Sequence, residues 1–282
     1  MSETVMYQIC GTRFPMMSFV VVTKQNNVIV IDGGHKEDMD LLKEQIDGRH
    51  ISAWIMTHAH SDHIEGFMHE VEKNGLSDFD VEKIYLHFPP LELVGKPGVP
   101  ESDIMECIPG FYNNVLPRIC DKVYVPQQGE SIEIDEVKID FIFTFHDGLY
   151  NNLMNDSSLV FKLSTPNKSV IFLGDIGPLA GDVLYYESAH LLKADMVQMA
   201  HHGWLCCGME VYAAIEPEAC LWCCSVDNYE SKVYPKIMDN KETIKKLGWE
   251  RMHLMDVTRK WMEQLGVKKH YIAGMGTNEI TL

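Results

Sequence analysis

Thr57-His58-Ala59-His60-Ser61-Asp62-His63 follows directly on the apolar run Ile51-Ser52-Ala53-Trp54-Ile55-Met56. A short apolar run bounded by polar residues reads as a buried strand, and alternate residues leaving a strand share a face. His58 and His60 are thereby directed to one side of the turn, and a helix starting just beyond would bring Asp62 and His63 toward the same point. These four side chains, all within residues 58–63, form a cradle for a pair of divalent cations. A solvated loop that collected three histidines and an aspartate by chance would have no reason to sit behind a buried strand.

Outward from this stretch the elements alternate. Upstream, residues 17–22 and 28–31 read as strands joined by the polar turn Lys24-Gln25-Asn26-Asn27, and the second ends at Asp32-Gly33-Gly34. A helix is expected over 38–46, the strand over 51–56, and a helix over 64–73 with Phe67, Met68 and Val71 on one face. Downstream, strands are expected at 131–134, 137–145, 158–163, 169–173, 195–199 and 219–224, with helices near 179–192, 208–215 and 240–247. Alternating strands and helices mark the α/β class. Two comparable halves predict two sheets packed face to face with helices outside. Between them, residues 88–126 break the pattern with Pro89, Pro90, Pro97, Pro100, Pro109 and Pro117 and carry the aromatics Phe111 and Tyr112. We expect this segment to be a cap inserted in a single domain spanning 1–282.

Composition limits the partners. The 282 residues are 46% hydrophobic, enough for a sizeable core, and no apolar run is long enough to span a bilayer. Met1-Ser2-Glu3-Thr4 lacks the basic and then apolar pattern of a secretory leader, so a cytoplasmic location and no membrane partner are expected. With 24 Lys plus Arg against 41 Asp plus Glu, the formal charge of −17 disfavours capture of long nucleic acid. A small phosphorylated substrate remains compatible, because bound cations reverse the local sign. The eight cysteines are expected to be free thiols; adjacent ones, as at Cys206-Cys207 and Cys223-Cys224, point to opposite faces of a strand and suit buried packing better than a second metal site.

Three further segments share a strand end followed by a glycine-containing turn: Asp32-Gly33-Gly34, Gly174-Asp175-Ile176-Gly177 and His201-His202-Gly203. Functional groups in α/β sheets gather beyond the carboxyl ends of strands, so these segments can converge on the histidine cluster. Asp175 is the expected bridging carboxylate, a turn-forming or helix-capping aspartate being the alternative. Of the adjacent His201 and His202, one is expected to face the metals. His201 is taken as the ligand, and His202 as a catalytic group that bonds the substrate or supports a ligand.

Together these motifs resemble the metallo-β-lactamase superfamily along nearly the whole chain. Asn155-Asp156-Ser157-Ser158-Leu159-Val160-Phe161, Phe172-Leu173-Gly174-Asp175 and the stretch from Ala194 to Gly203 look most like the subgroup that includes the metallo domain of competence-type DNA-uptake proteins. The resemblance implies an αββα sandwich with Zn or Mn between two mixed sheets, Fe in some members, and hydrolytic chemistry. Two departures stand out. Where many members place a metal-binding histidine before the strand that leads to Gly-Asp, this chain has Asn155-Asp156, leaving His146, Asp156 or water as third ligand of the first metal. His146 is equally suited to be a polar residue of its own turn. The subgroup's Tyr-Gly-His-Pro is replaced by Val233-Tyr234-Pro235, which weakens transfer of nuclease activity.

On this basis His58 and His60 are expected to hold the first metal, Asp62, His63 and His201 the second, and Asp175 both. Divalent cations lower the pKa of bound water from 15.7 to about 7, so a metal-bound hydroxide is the expected nucleophile. Asp62 would double as proton acceptor, and Asp32 would orient a ligand histidine from behind. The expected function is hydrolysis of a small phosphodiester. Alternatives are an ester, lactone or thioester hydrolase, or a noncatalytic or di-iron redox module. His35, His50, His69, His87, His190, His253 and His270 are expected to be surface or structural.

Overall fold

The computed structural model describes residues 3–94, 96, 107–231 and 255–282. Among them, strands form two seven-stranded sheets. The first holds β1 (Val5–Gln8), β2 (Ser18–Val22), β3 (Val28–Asp32), β4 (Ile51–Ile55), β5 (Ile84–Tyr85) and β6 (Val123–Tyr124) in chain order, with β14 (Asn278–Thr281) added outside β1. The second runs β7 (Ser131–Ile134), β8 (Val137–Phe143), β9 (Val160–Ser164), β10 (Ser169–Phe172), β11 (Met196–Gln198), β12 (Ala219–Trp222) and β13 (Lys269–Ile272). Both sheets are mixed. β3 to β6 are parallel and the hairpins before them antiparallel; β10 to β13 are parallel and β7 to β10 antiparallel.

The packing follows from the period of two along each strand. Phe19, Val21, Ile29, Ile31 and Ile55 face the second sheet and meet Phe141, Phe161, Phe172 and Leu221 in the middle layer. Val20, Val22, Val28, Val30 and Trp54 face the other way, onto α1 (Met39–Ile46) and α2 (Ser61–Asn74). On the far side, Ile171, Val197, Cys220 and Trp222 pack under α3 (Pro178–Ser188), α4 (Met209–Ile215) and α5 (Met255–Gln264). Covered on both faces, β2 and β3 are buried at every residue, which is why they read as continuous apolar runs. The result is the expected αββα sandwich of two mixed sheets.

Several boundaries differ from expectation. α2 begins at Ser61, not 64, with His60 as its N-cap, so Asp62 and His63 sit in its first turn. The strands β1, β5, β6, β13 and β14 and the helix α5 carried no signal that was read. β5 and β6 have only two residues each, too short for periodicity to register. The helix expected near 240–247 lies outside the described residues, as do 95 and 97–106 of the segment 88–126. The described pieces of that segment form part of the crossover from β5 to β6, with Phe88, Leu93, Ile108, Phe111, Val115 and Ile119 buried in the layer shared with α2. Arg118 Nη1 donates to the Glu72 carbonyl at 2.8 Å, fastening the crossover to the end of that helix.

Candidate metal centre

The site is assembled where strands of both sheets end. From the first sheet, β3 delivers Asp32, whose backbone is left-handed at φ 54°. Its Oδ1 accepts from the Thr57 amide at 2.7 Å, and its Oδ2 accepts from Thr57 Oγ1 at 2.8 Å and lies 2.7 Å from His63 Nδ1. The chain beyond β4 is thus tied to the end of β3, and the His63 ring is turned so that Nε2 faces away from Asp32. The Gly33 amide donates to the His63 carbonyl at 2.7 Å. Gly66 lets α2 approach this turn: a Cβ there would lie 2.7 Å from the Gly33 carbonyl oxygen and 2.9 Å from that of His35.

From the second sheet, the turn after β10 presents Asp175, whose amide donates to Ser158 Oγ at 3.0 Å. Gln198 anchors the same turn, accepting from the Leu173 amide at 2.9 Å and donating to the Gly174 carbonyl at 3.2 Å. His201, His202 and Gly203 follow β11 with φ of 50°, 60° and 102°. A left-handed backbone at two non-glycine residues costs of order 1–3 kcal/mol each and survives only where the surroundings impose it. Here they do: the His201 amide donates to the Gly174 carbonyl at 3.0 Å, and Thr258 of α5 donates to the Gly203 carbonyl at 2.5 Å. A Cβ on Gly203 would lie 2.3 Å from the Trp222 ring.

Four imidazoles surround the Asp175 carboxylate. His63 Nε2 lies 3.4 Å from Oδ1, while His202, His58 and His201 present Nε2 at 3.3, 3.8 and 3.8 Å from Oδ2. His202 Nε2 also stands 2.9 Å from Asp62 Oδ2, and His60 Nδ1 stands 3.1 Å from His58 Nε2. His58, His63 and Asp175 bring one donor atom apiece within 4.8 Å of one another, as do Asp62, His63 and His202. His58, His63, His202 and Asp175 are fully or almost fully buried. His63 Nε2, Asp175 Oδ1 and both ring nitrogens of His202 nevertheless have no hydrogen-bond partner. Buried polar atoms are costly to leave unpaired, so this donor set fits divalent cations of the kind the motif implies.

The charges are interlocked. Burial works against the ionised form of Asp175, but His202, His63, His201 and His58 outweigh it and hold the carboxyl well below the usual range. Asp62 is likewise held below its ordinary range despite burial, chiefly by His63 and His202. Burial would lower His202, yet Asp175 and Asp62 push it up to about 9; His63 is raised for the same reason by Asp175, Asp62 and Asp32. His201 is lowered by burial to about 4, and His58 falls by burial and the neighbouring His63. The surroundings thus favour the protonated form of His63 and His202 and the neutral form of His58 and His201.

His58, His60, Asp62, His63, Asp175, His201 and His202 therefore come together. Within the adjacent pair, His202 Nε2 lies against both Asp62 and Asp175, whereas His201 Nε2 lies 3.8 Å from Asp175 Oδ2. His146 stands elsewhere: its ring stacks on Phe143 and its Nε2 lies 3.2 Å from Gln128 Oε1. The other candidate, Asp156, accepts from the Gly177 amide at 2.9 Å at the start of α3. Sequence reasoning gave no role to Ser158 and Gln198, though both lie in the stretches quoted above, nor to Cys206, whose Sγ lies 3.4 Å from His201 Nδ1. His35, expected to be surface or structural, is buried and hydrogen-bonded to the β1–β2 loop.

The metallo-beta-lactamase superfamily model matches residues 11–203. No curated protein matches the sequence. Among solved structures, the metallo-beta-lactamase fold protein YhfI from Bacillus subtilis is similar with a TM-score of 0.53 at 12% identity, over 99% of this chain and 100% of that one. CmlA, a diiron beta-hydroxylase from Streptomyces venezuelae, is similar with a TM-score of 0.56 at 11% identity. The likeness covers 99% of this chain but 54% of CmlA, so the chain spans about half that protein's length. At these identities the likeness is one of fold.

Proposed function

The chain belongs to the metallo-beta-lactamase superfamily, and from that premise we propose that it is a metal-dependent hydrolase, binding two divalent cations and cleaving a small phosphodiester. The observation that carries the proposal is the Asp175 carboxylate set among four buried imidazoles, with Asp175 Oδ1 and the facing nitrogens of His63 and His202 lacking hydrogen-bond partners. His58, His60 and His201 would hold the first cation and Asp62, His63 and His202 the second, with Asp175 a ligand available to both. His201 then fills the position for which His146, Asp156 or water had been weighed. Imidazole and carboxylate donors suit Zn, Mn or Fe.

Bound there, the cations supply Lewis acidity toward substrate oxygens and an activated water at neutral pH. The protein's own groups do the rest. Asp32 and Thr57 fix the His63 ring with Nδ1 directed at Asp32 and Nε2 free for the second cation. Asp62, partly exposed at 16% and held ionised by His63 and His202, receives the proton of the attacking water. The stretches of sequence similar to competence-type proteins support phosphodiester chemistry, and the formal charge of −17 supports a small substrate over a long polyanion. The segment 88–126 is proposed as a cap within one domain. No helix among the described residues is long and apolar enough to cross a membrane.

The test is metal analysis of protein purified without added metal, paired with hydrolysis of aryl phosphodiester, ester, lactone and thioester probes. Two cations per chain and selective cleavage of the phosphodiester are expected. Cleavage of a carboxylic ester, lactone or thioester alone would replace the substrate class while keeping the centre. Iron-dependent visible absorbance without hydrolysis would replace the reaction, and failure to retain metal would remove it.

A further inference from the structure

Beside the metal centre lies an open hollow of about 340 Å³ lined by Arg13, Phe14, Pro15, His35, Ser61 and Asp62. Its outer wall is the loop between β1 and β2, fastened at several points. The Thr12 amide and Oγ1 donate to Asp38 Oδ1 at 2.6 and 2.7 Å, and the Met17 amide donates to the carbonyl of Asp62 itself at 3.0 Å. Arg13 Nη2 lies 2.9 Å from His35 Nδ1, and His35 Nε2 lies 2.9 Å from the Pro15 carbonyl oxygen. A guanidinium only donates, so Nδ1 accepts and Nε2 carries the hydrogen given to Pro15. That chain of bonds, buried at His35, sets the direction of the arginine.

Arg13 is held yet not used up. Its Nη2 also reaches Glu65 Oε2 at 3.1 Å, while Nε and Nη1 have no partner among the described residues and the side chain is 56% exposed. Glu65 is shared with Lys36, 3.8 Å away, and with His35 Nδ1 at 3.3 Å, and Glu37 also lies within reach of the charges of Arg13 and Lys36. A guanidinium with two unpaired nitrogens, mounted on a fastened loop that lines the same hollow as Asp62, offers N–H donors to an anion. Asp62 would oppose one only while no cation is bound to it.

Resting on the metal-dependent hydrolase reading, we infer that Arg13 is a substrate-anchoring residue, and that the hollow receives a second anionic group, a carboxylate or a phosphate, borne by the molecule whose scissile ester lies at the metals. The guanidinium meets a planar or tetrahedral oxyanion through paired N–H donors, which suits both groups. Substrates with a single anionic centre forgo this contact.

Calorimetric binding to the Zn-loaded protein tests the inference without requiring turnover. Methylphosphonate supplies one anion; phosphonoacetate, 3-phosphonopropionate and 4-phosphonobutyrate add a carboxylate at increasing reach, and the corresponding bisphosphonates add a second phosphonate. At least one two-anion probe should bind about tenfold more tightly than methylphosphonate, a difference of about 1.4 kcal/mol, and the better series identifies the group. Arg13→Gln should erase that advantage while leaving methylphosphonate within about twofold. Glu65→Gln should enlarge it, because the competing carboxylate is gone, and this variant carries the test if Arg13→Gln disturbs the loop. An advantage that survives Arg13→Gln, one unchanged or reduced in Glu65→Gln, or none in the wild-type protein overturns the inference. Selective binding without hydrolysis of any ester would support the anchor while sinking the proposed reaction.

Discussion

Asp32 Oδ2 and His63 Nδ1 are 2.7 Å apart, both fully buried, and this contact joins the end of β3 to the first turn of α2. Asp32 touches none of the other clustered imidazoles, so its effect on the centre runs through the orientation of one ring. Asp32→Asn keeps the shape and removes the charge. Metal affinity should fall about 10- to 100-fold, the usual cost of losing a group that supports a ligand, as read by competition with a chromophoric chelator. An unchanged affinity would show that His63 needs no such support.

The two late histidines should separate under titration. His202→Ala is expected to weaken the cation shared with Asp62 and His63, His201→Ala the one shared with His58 and His60, and Asp175→Ala both together. If His201→Ala and His202→Ala lose the same cation, the division of ligands proposed above is wrong.

Metal loading should release protons. With His202 at about 9 and His63 raised as well, both rings are protonated at neutral pH in the metal-free chain, and each must be neutral to bind a cation. His58 and His201, both lowered, contribute no proton. Calorimetry in buffers of different ionisation enthalpy should find about two protons released per chain at pH 7. The same shifts set the stability of the metal-free protein. A raised histidine stabilises fully below its unfolded value of 6.5 and ceases to do so as pH climbs through about 9. Asp62 and Asp175, both lowered, stabilise above their unfolded value of 3.8 and lose that effect on acidification. The thermal midpoint without metal should therefore decline from pH 6.5 to 9, and the lowered His58 and His201 add a decline as pH falls below 6.5 that the carboxylates deepen below pH 4; a midpoint that rises across the alkaline window would contradict the charge pattern.

Gly203→Ala would force a Cβ against the Trp222 ring at a φ of 102°. Since an L residue is strained there and the indole is fully buried, the loss should reach about 2 kcal/mol or more, a fall in melting temperature of about 4 °C or more. Calorimetric unfolding of the two proteins decides it.

Shortening the crossover must spare Ile108, Phe111 and Val115, which are buried against the first sheet's outer layer. Replacing residues 97–106 with a short Gly/Ser linker should raise KM for small substrates while metal content stays constant, because remote contacts are lost and the cradle is retained. Unchanged kinetics would reduce the segment to packing.

What could be read in advance depended on how local the cause was. The residues 58–63 and Asp175 follow apolar strands, and the rule that functional groups gather beyond the carboxyl ends of strands in α/β sheets pointed them to one rim. The choice between His201 and His202 hinges on two left-handed residues imposed by Thr258 and Trp222, which lie distant in the chain, and no local pattern announces them. His146 looked available because it precedes the Gly-Asp strand, but Phe143 two strand positions from its turn captures the ring by stacking. His35 gave no sign of burial, since its partners Arg13 and Pro15 belong to a loop with no regular period. β14 pairs with β1 across almost the entire length of the chain, a register set by tertiary packing.

Because four donors come from the first sheet's side and three from the second's, neither portion of the chain by itself contains a complete centre. Residues up to β6 supply His58, His60, Asp62 and His63; those after β7 supply Asp175, His201 and His202, and β14 crosses back to close the first sheet. Cut between β6 and β7, the two polypeptides would be complementary fragments, and cation uptake would report their reunion.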